Sequence, residues 1–394
     1  MESIGRDRDS RKGILGIGLL GYGSMGRAHS SAFRRLPQFF SPLPLEPRLV
    51  GVSSRSEEKG TDFARRFGYS SWYQDWEQLI ADERIDLFDD TGPNGLHEEP
   101  CIAAARAGKH VLCEKPLGRN ATEARRMLEA VRAAGVKHMC GFNYRFVPAI
   151  RLARQIMEEG RLGRIYHFRA RYQNTAFVDP SFPMAWRMDR DVAGSGAIGD
   201  LGSHIVDLAR FLVGEPASVA GATSTFIAER PLTGDPSRTA PVTTDDAFQA
   251  MLLFENGATG MLEGSKMCPG SQNRMEFEIN GSEGSLQFNL ERLNELQLYL
   301  REDEKAGLAG YRTIHVNSAN HPFAARWWPR HPLGWDHTFV HEMAHLLEAI
   351  AGNGEVAPYG ATFEDGYRAA VICDAILASA ETGSRVSIDY GPGL

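Results

Sequence analysis

Residues 194–212 read GSGAIGDLGSHIVDLARFL, a glycine-rich turn that feeds an aspartate, Asp200, and a histidine, His204, into an apolar segment. Ile205, Leu208 and Leu212 recur at helical spacing, so the face that carries them is buried and His204 lies close beside it. Two kinds of chemistry fit these residue types. Asp200 can serve as a helix N-cap, its carboxylate accepting a first-turn amide, with His204 a hydrogen-bonded core histidine. Alternatively, a carboxylate and an imidazole on one helix face form an acid/base pair, and a group that titrates near neutral pH can take a proton from a substrate hydroxyl. A third reactive group, Lys115, follows the apolar HVLC and precedes Pro116, where a strand gives way to a turn. On its own it reads as a surface charge.

The elements that would position these groups start at ILGIGLLGYGSMGRAHSSAF, an apolar strand, three glycines (Gly21, Gly23 and Gly26) in the spacing GxGxxG, and a helical pattern. That arrangement gives a tight turn, a close backbone approach to a pyrophosphate and a helix packed on its strand, with free helix amides aimed at the phosphates. A second strand, RLVGVSSRS, ends where a dinucleotide fold places its ribose-reading residue. It carries Ser53, Ser54 and Arg55 rather than a carboxylate, a hydroxyl and guanidinium set suited to a 2′-phosphate, unless Arg55 is simply a solvated loop arginine. Two more strand and helix units follow, IDLFDDTGPNGLHEEPCIAAARAG and KHVLCEKPLGRNATEARRMLEAVRAAG, which together imply a parallel, doubly wound sheet. Thr91, Pro93, Asn94, Glu114 and Lys115 stand at the carboxyl ends of its strands, where such sheets bind ligands.

The chain has 394 residues, enough for two cores at roughly 150 residues per domain. A formal net charge of -7 with scattered Lys and Arg argues against nucleic acid or an anionic membrane as the main partner. Five widely spaced cysteines without a CxxC pair suggest neither a disulfide framework nor a zinc ribbon, and fit a reducing cytoplasm. The polar MESIGRDRDSRKG reads as a disordered leader over residues 1–12. From Ile165 onward the pattern alternates as strands do, in RIYHFRARYQN, DAFQAMLLFENGATGMLEGSKM, NRMEFEINGSEGSLQFNL and NELQLYL. Between them, Trp186 can stack on a sugar ring or belong to the core, and Arg187 can bind hydroxyls. HEMAH at residues 341–345 fits the HExxH zinc-protease pattern, but it sits in a helical stretch, WDHTFVHEMAHLLEAIAG, and a protease leaves the dinucleotide half unexplained. Trp335 and His337, just upstream, are placed to approach a substrate pocket.

GYGSMGRAH, TGPNGLHE, GKHVLCEKPL, GFNYRF, GRLGRIYHFRARY and GDLGSHIVDL occur in the order found in the Gfo/Idh/MocA oxidoreductases, which the chain resembles from about Gly13 to its end. The stretch around FPMAWRMDRDVAGSG is most similar to members acting on sugars and cyclic polyols. The resemblance implies an α/β protein: a Rossmann domain over residues 13–140, and over 141–394 an α/β domain built on an open, mostly antiparallel sheet. That second domain would carry the substrate site and the interface of a homodimer or homotetramer, and its last helices would pack back on the first domain. Lys115, Asp200 and His204 are then catalytic. Gly21, Tyr22, Gly23, Ser24, Met25, Gly26, Ser54, Arg55, Thr91, Pro93, Asn94, His97, Glu114, Lys115 and Asn143 would hold NAD(P); sugar-oxidising relatives often work with NAD, and Ser54 with Arg55 tips the expectation slightly to NADP. Tyr144, Arg145, Trp186, Arg187 and His337 would join the three catalytic residues in binding substrate. The implied reaction is hydride transfer between the coenzyme and a secondary hydroxyl of a sugar, anhydrosugar or inositol, without a metal. Two rivals remain: a glycosidase using tightly held NAD for transient oxidation, and a nucleotide-binding regulator without turnover.

Overall fold

The computed structural model describes residues 13–392; the leader expected over 1–12 lies outside the described residues. The first sheet contains β1 (Ile14–Leu20), β2 (Glu46–Ser53), β3 (Ser71–Tyr73), β4 (Leu87–Asp90), β5 (His110–Cys113) and β6 (His138–Cys140), all parallel, in the order β3-β2-β1-β4-β5-β6. Helices α1 (Ser24–Phe39), α2 (Glu57–Phe67), α3 (Trp76–Ala81), α4 (Glu98–Arg106) and α5 (Ala121–Ala134) connect the strands. Burial on both faces is why these strands read as apolar runs rather than alternations: six of the seven residues of β1 are buried. Sequence sets the helix limits too. Asn120 caps α5 by accepting from the Glu123 amide, and Gly135 closes it at a positive φ of 65° that a side chain would strain.

After α6 (Pro148–Glu158) the chain enters a nine-stranded sheet. Its strands are β7 (Ile165–Asn174), β8 (Pro216–Ser224), β11 (Ala247–Phe254), β12 (Thr259–Ser265), β13 (Asn273–Gly281), β14 (Gly284–Asn289), β15 (Glu295–Leu300), β16 (Arg312–His315) and β17 (Val386–Ser387). A separate two-stranded ribbon is formed by β9 (Glu229–Leu232) and β10 (Asp235–Pro241). In the large sheet only β7 and β12 run parallel, so the sheet is mixed but mostly antiparallel. The ribbon, β8, β16 and β17 had no counterpart among the expected strands. Edge strands such as β16 and the exposed β10 bury one face weakly or not at all, and therefore lack the alternation by which the central strands are read.

Helices α7 (Arg190–Ala193) and α8 (Ser203–Leu212) lie between β7 and β8 in sequence, and α9 (Asp336–Ile350) and α10 (Phe363–Thr382) come near the end. Helices α6, α8 and α10 cover one face of the nine-stranded sheet. The last two also return to the first sheet. Helix α9 packs on α1, with the Phe339 and His29 rings 5.5 Å apart, and Asp374 of α10 accepts the amide of Ala121 at the start of α5 at 2.8 Å. The carboxyl ends of the parallel strands thereby face the start of α8.

Candidate active site

The glycine turn after β1 is built for close approach. Gly21 has a φ of 95°, and a Cβ there would lie 3.1 Å from the Thr91 carbonyl oxygen; a Cβ on Gly26 would lie 2.5 Å from the Gly21 oxygen. At Gly23 the space is open. Helix α1 starts with no side-chain cap and no acidic residue in its first turn, so its N-terminal amides and positive dipole end are free for an anion. This cradle fits a dinucleotide pyrophosphate, with Tyr22, Ser24 and Met25 partly or fully exposed around it. Thr91 braces the turn by donating to the Leu20 carbonyl at 2.8 Å, and Pro93 stands partly exposed at the end of β4. Beyond β2, the buried Ser54 hydroxyl accepts from the Trp72 indole at 3.0 Å and donates to the Ser56 carbonyl. Arg55 is exposed, and among the described residues its guanidinium makes no hydrogen bond or ion pair.

The opening motif resolves against the N-cap. Residues Ile198–Gly202 form one π-turn that runs into α8, and the first-turn amides go elsewhere: Asp245 accepts from Gly196 at 2.7 Å and from Ile198 at 2.8 Å. Asp200 is thus left to face the chemistry, as inserted π-turns often do. Lys115 donates from Nζ to the Asp200 carbonyl at 2.9 Å and to its Oδ1 at 3.1 Å. On Oδ2, Lys266 lies at 3.3 Å and Arg187 at 3.8 Å. Burial alone would raise the Asp200 pKa, but Lys266, Lys115 and Arg187 outweigh it and hold the carboxyl well below its ordinary range. Trp186 supports Arg187, whose guanidinium carbon lies 4.3 Å from the indole centroid.

His204 is boxed by rings: Tyr144 at 4.5 Å, with Phe142 and Tyr172 each at 5.9 Å. Burial, reinforced by the charge of Lys115, pushes its pKa well below 6.5, so the imidazole is neutral at neutral pH. Its Nδ1 is sealed without a partner among the described residues, which leaves Nε2 as the nitrogen that is not sealed. Beside it runs a directed chain. Tyr172 donates to Asn273 at 2.9 Å, so Tyr144 must donate to Tyr172 across 2.7 Å.

Below Lys115, Glu114 is buried. Its Oε1 takes His29 at 3.1 Å and its Oε2 takes the Lys115 amide at 3.1 Å, while the other His29 nitrogen meets Asp89 at 2.9 Å. Burial opposes a charge on His29, but the two carboxylates prevail and hold its pKa well above 6.5. The backbone of the EKP turn therefore rests on a buried ion cluster that engages both oxygens of Glu114.

Several expected contacts are corrected by this geometry. Arg145 does not reach substrate: it is 2% exposed and forks onto Asp207 at 2.6 and 2.8 Å, with Asp365 at 3.0 Å, because a buried guanidinium must satisfy its donors on carboxylates. His337 turns towards α1, accepting from the Gly334 amide and lying 3.2 Å from the Arg35 guanidinium. His97 is fully buried with both nitrogens on the carbonyls of Pro116 and Gly92. The Asn94 amide donates to Ala193 and that of Asn143 to Thr338, so one donor of each side chain ties loops together. In HEMAH, Nδ1 of His341 engages the Phe146 carbonyl and Nε2 the Trp327 indole, while His345 faces Val356, so the two rings do not converge on a metal.

Lys266, Tyr172 and Asp245 were not among the expected residues. Lys266 had a signal: in LEGSK, Leu262, Gly264 and Lys266 share the core register of a strand, and a lysine in that register must find a buried partner.

A parallel sheet with a glycine turn, facing a lysine, carboxylate and imidazole cluster, defines a dinucleotide-dependent oxidoreductase. Residues 15–142 match the oxidoreductase family, NAD-binding Rossmann fold, and residues 150–287 match the GFO/IDH/MocA C-terminal domain; the chain belongs to this family. It is 41% identical over 387 residues to levoglucosan dehydrogenase of Pseudarthrobacter phenanthrenivorans, covering 95% of this chain and 98% of that protein. A solved levoglucosan dehydrogenase in complex with NADH and levoglucosan superposes with a TM-score of 0.90 at 42% identity, covering 95% and 99% of the two chains. Inositol 2-dehydrogenase of Rhizobium meliloti is 25% identical over 94% of this chain and 98% of its own length.

Proposed function

We propose that this chain oxidises a secondary hydroxyl of a sugar, anhydrosugar or cyclic polyol with NAD(P). The observation that carries the reading is the Lys115 amine, anchored on both the carbonyl and carboxylate of Asp200 and sharing its surroundings with a neutral His204. The dinucleotide, held by the Gly21–Gly26 turn and the ends of β2 and β4, supplies hydride acceptance when bound. His204 takes the hydroxyl proton at Nε2. Lys115 stabilises the oxygen as negative charge develops on it, and Asp200 keeps the amine in line. Arg187, on its Trp186 support, binds neighbouring hydroxyls. Both the levoglucosan and the inositol dehydrogenases named above support a cyclic polyhydroxylated substrate.

For the coenzyme, the exposed Arg55 supports NADP over NAD, and it does so alone, because the Ser54 hydroxyl is committed to Trp72. The five free cysteines suit a reducing cytoplasm, and none of the described helices is long and apolar enough to cross a membrane. The uncovered face of the nine-stranded sheet is the surface through which copies would associate.

A panel of anhydrosugars, pyranoses and inositols, followed by absorbance of the reduced coenzyme with NAD and NADP in parallel, tests the reading. Sustained coenzyme reduction is expected with at least one member, falling by roughly 10²–10⁴ in Lys115→Met, the usual scale for acid/base groups. Arg55→Ala should raise KM for NADP alone. An equal effect on both coenzymes removes its phosphate-reading role, and a panel without accumulating reduced coenzyme overturns the whole reading.

A further inference from the structure

We propose that Lys266 is a positioning residue of this centre, acting through Asp200. Its backbone is fixed from both sides: its amide donates to the Asp246 carbonyl at 3.0 Å, and its carbonyl accepts from Phe177 at 3.3 Å. The side chain is 3% exposed, with Nζ 3.3 Å from Asp200 Oδ2 and 5.2 Å from the Phe177 ring centroid. Among the described residues Asp200 is the only carboxylate in ion-pair reach of this ammonium. The Asp246 side chain, next to it in space, accepts instead from the amides of Phe226 and Ile227. A buried ammonium is costly unless paired, so Lys266 and Asp200 hold each other.

The carboxylate is divided between two amines, Oδ1 for Lys115 and Oδ2 for Lys266. Rotation about the last torsion of an aspartate is soft, and a fixed ammonium on one oxygen stops it. Without Lys266, Oδ2 keeps only the contact at 3.8 Å to Arg187, whose side chain is 42% exposed. The carboxylate can then turn both oxygens onto Lys115 and draw the amine away from the substrate oxygen. Lys266 thus sets where Lys115 points without touching the reacting atoms.

This proposal rests on Lys115, Asp200 and His204 being the reacting centre, and a double-mutant cycle separates the two claims. Steady-state kinetics of Lys266→Met, Asp200→Asn and the double variant are measured on the best substrate of the panel. Lys266→Met is expected to lower kcat by roughly 10–100-fold with the coenzyme KM little changed, and to cost less than about threefold once Asp200 is asparagine. If Lys266→Met does not fold, Lys266→Gln carries the same cycle. An unchanged kcat, or the same loss in both backgrounds, overturns the role of Lys266. Undiminished turnover in Asp200→Asn overturns the reacting centre instead.

Discussion

At the scale of single residues, environment rather than identity decides what each histidine does. His29 is buried between two carboxylates and is held charged, and His341 is pushed down to about 3 by burial. His204 is buried among rings with a lysine nearby, and is held neutral without a backbone carbonyl to occupy it. Residue types and spacing left His204 open between a core histidine and a base, the family resemblance favoured the base, and neither separated Arg145 from Arg187. Both arginines flank plausible site segments, and only the positions of Asp207 and Asp200 assign one to the core and the other to the cavity. The depressed pKa of His204 has a kinetic consequence. As pH falls through 6.5 the imidazole stays in its base form, and Asp200, also depressed, stays ionised. The profile of log kcat/KM should therefore stay free of an acid limb centred at the ordinary histidine value. A limb centred near 6.5 in a pH series on the free enzyme would show an exposed, unperturbed imidazole and count against a buried, neutral His204 as the base.

At the scale of elements, the π-turn before α8 is what separates Asp200 from a capping role, and it was illegible in the sequence. One extra residue per turn leaves the apolar spacing of Ile205, Leu208 and Leu212 intact, so α and π starts look alike. The parallel sheet, by contrast, was legible, because strands buried on both faces and glycines in GxGxxG leave a local mark. Asp245 fixes the π-turn from a distant segment, with both carboxylate oxygens accepting backbone amides and its carbonyl accepting from Ala197. An asparagine keeps the shape but replaces one acceptor with a donor, so one buried amide must lose its partner. Hydrogen bonds to a charged acceptor are worth about 1.5–3 kcal/mol, and the lost one lies at the base of the turn that aims Asp200. Asp245→Asn is expected to lower Tm by a few degrees and kcat by about tenfold or more, read by thermal unfolding and initial rates. Loss of Tm with kcat intact would mean that Asp245 supports the fold but not the aim of Asp200.

At the scale of the whole molecule, the nine-stranded sheet has two different faces, and the period of two along each strand links them. In β7, Tyr172 points in towards His204 while Arg171 points out to Glu276, and in β12, Leu262 points in while Met261 is 58% exposed. Met251 and Leu253 of β11 are 53% and 40% exposed on that outer side, next to a trough of about 760 Å³. Exposed methionine and leucine amid paired charges make a surface that favours association, since methionine is enriched at interface cores and a solitary apolar patch on water is unfavourable. Covering this face would also stiffen the strands that carry Tyr172, Lys266 and Asn273 into the site. The paired substitution Met251→Glu and Met261→Glu places like charges at the centre of the face. Light scattering should find the parent as an oligomer and the variant as a smaller species, with far-ultraviolet circular dichroism unchanged and kcat reduced. A parent that is monomeric at micromolar concentration, or a variant of unchanged mass, would place the interface elsewhere; a smaller variant with full kcat would show that the inner face is rigid enough without a partner.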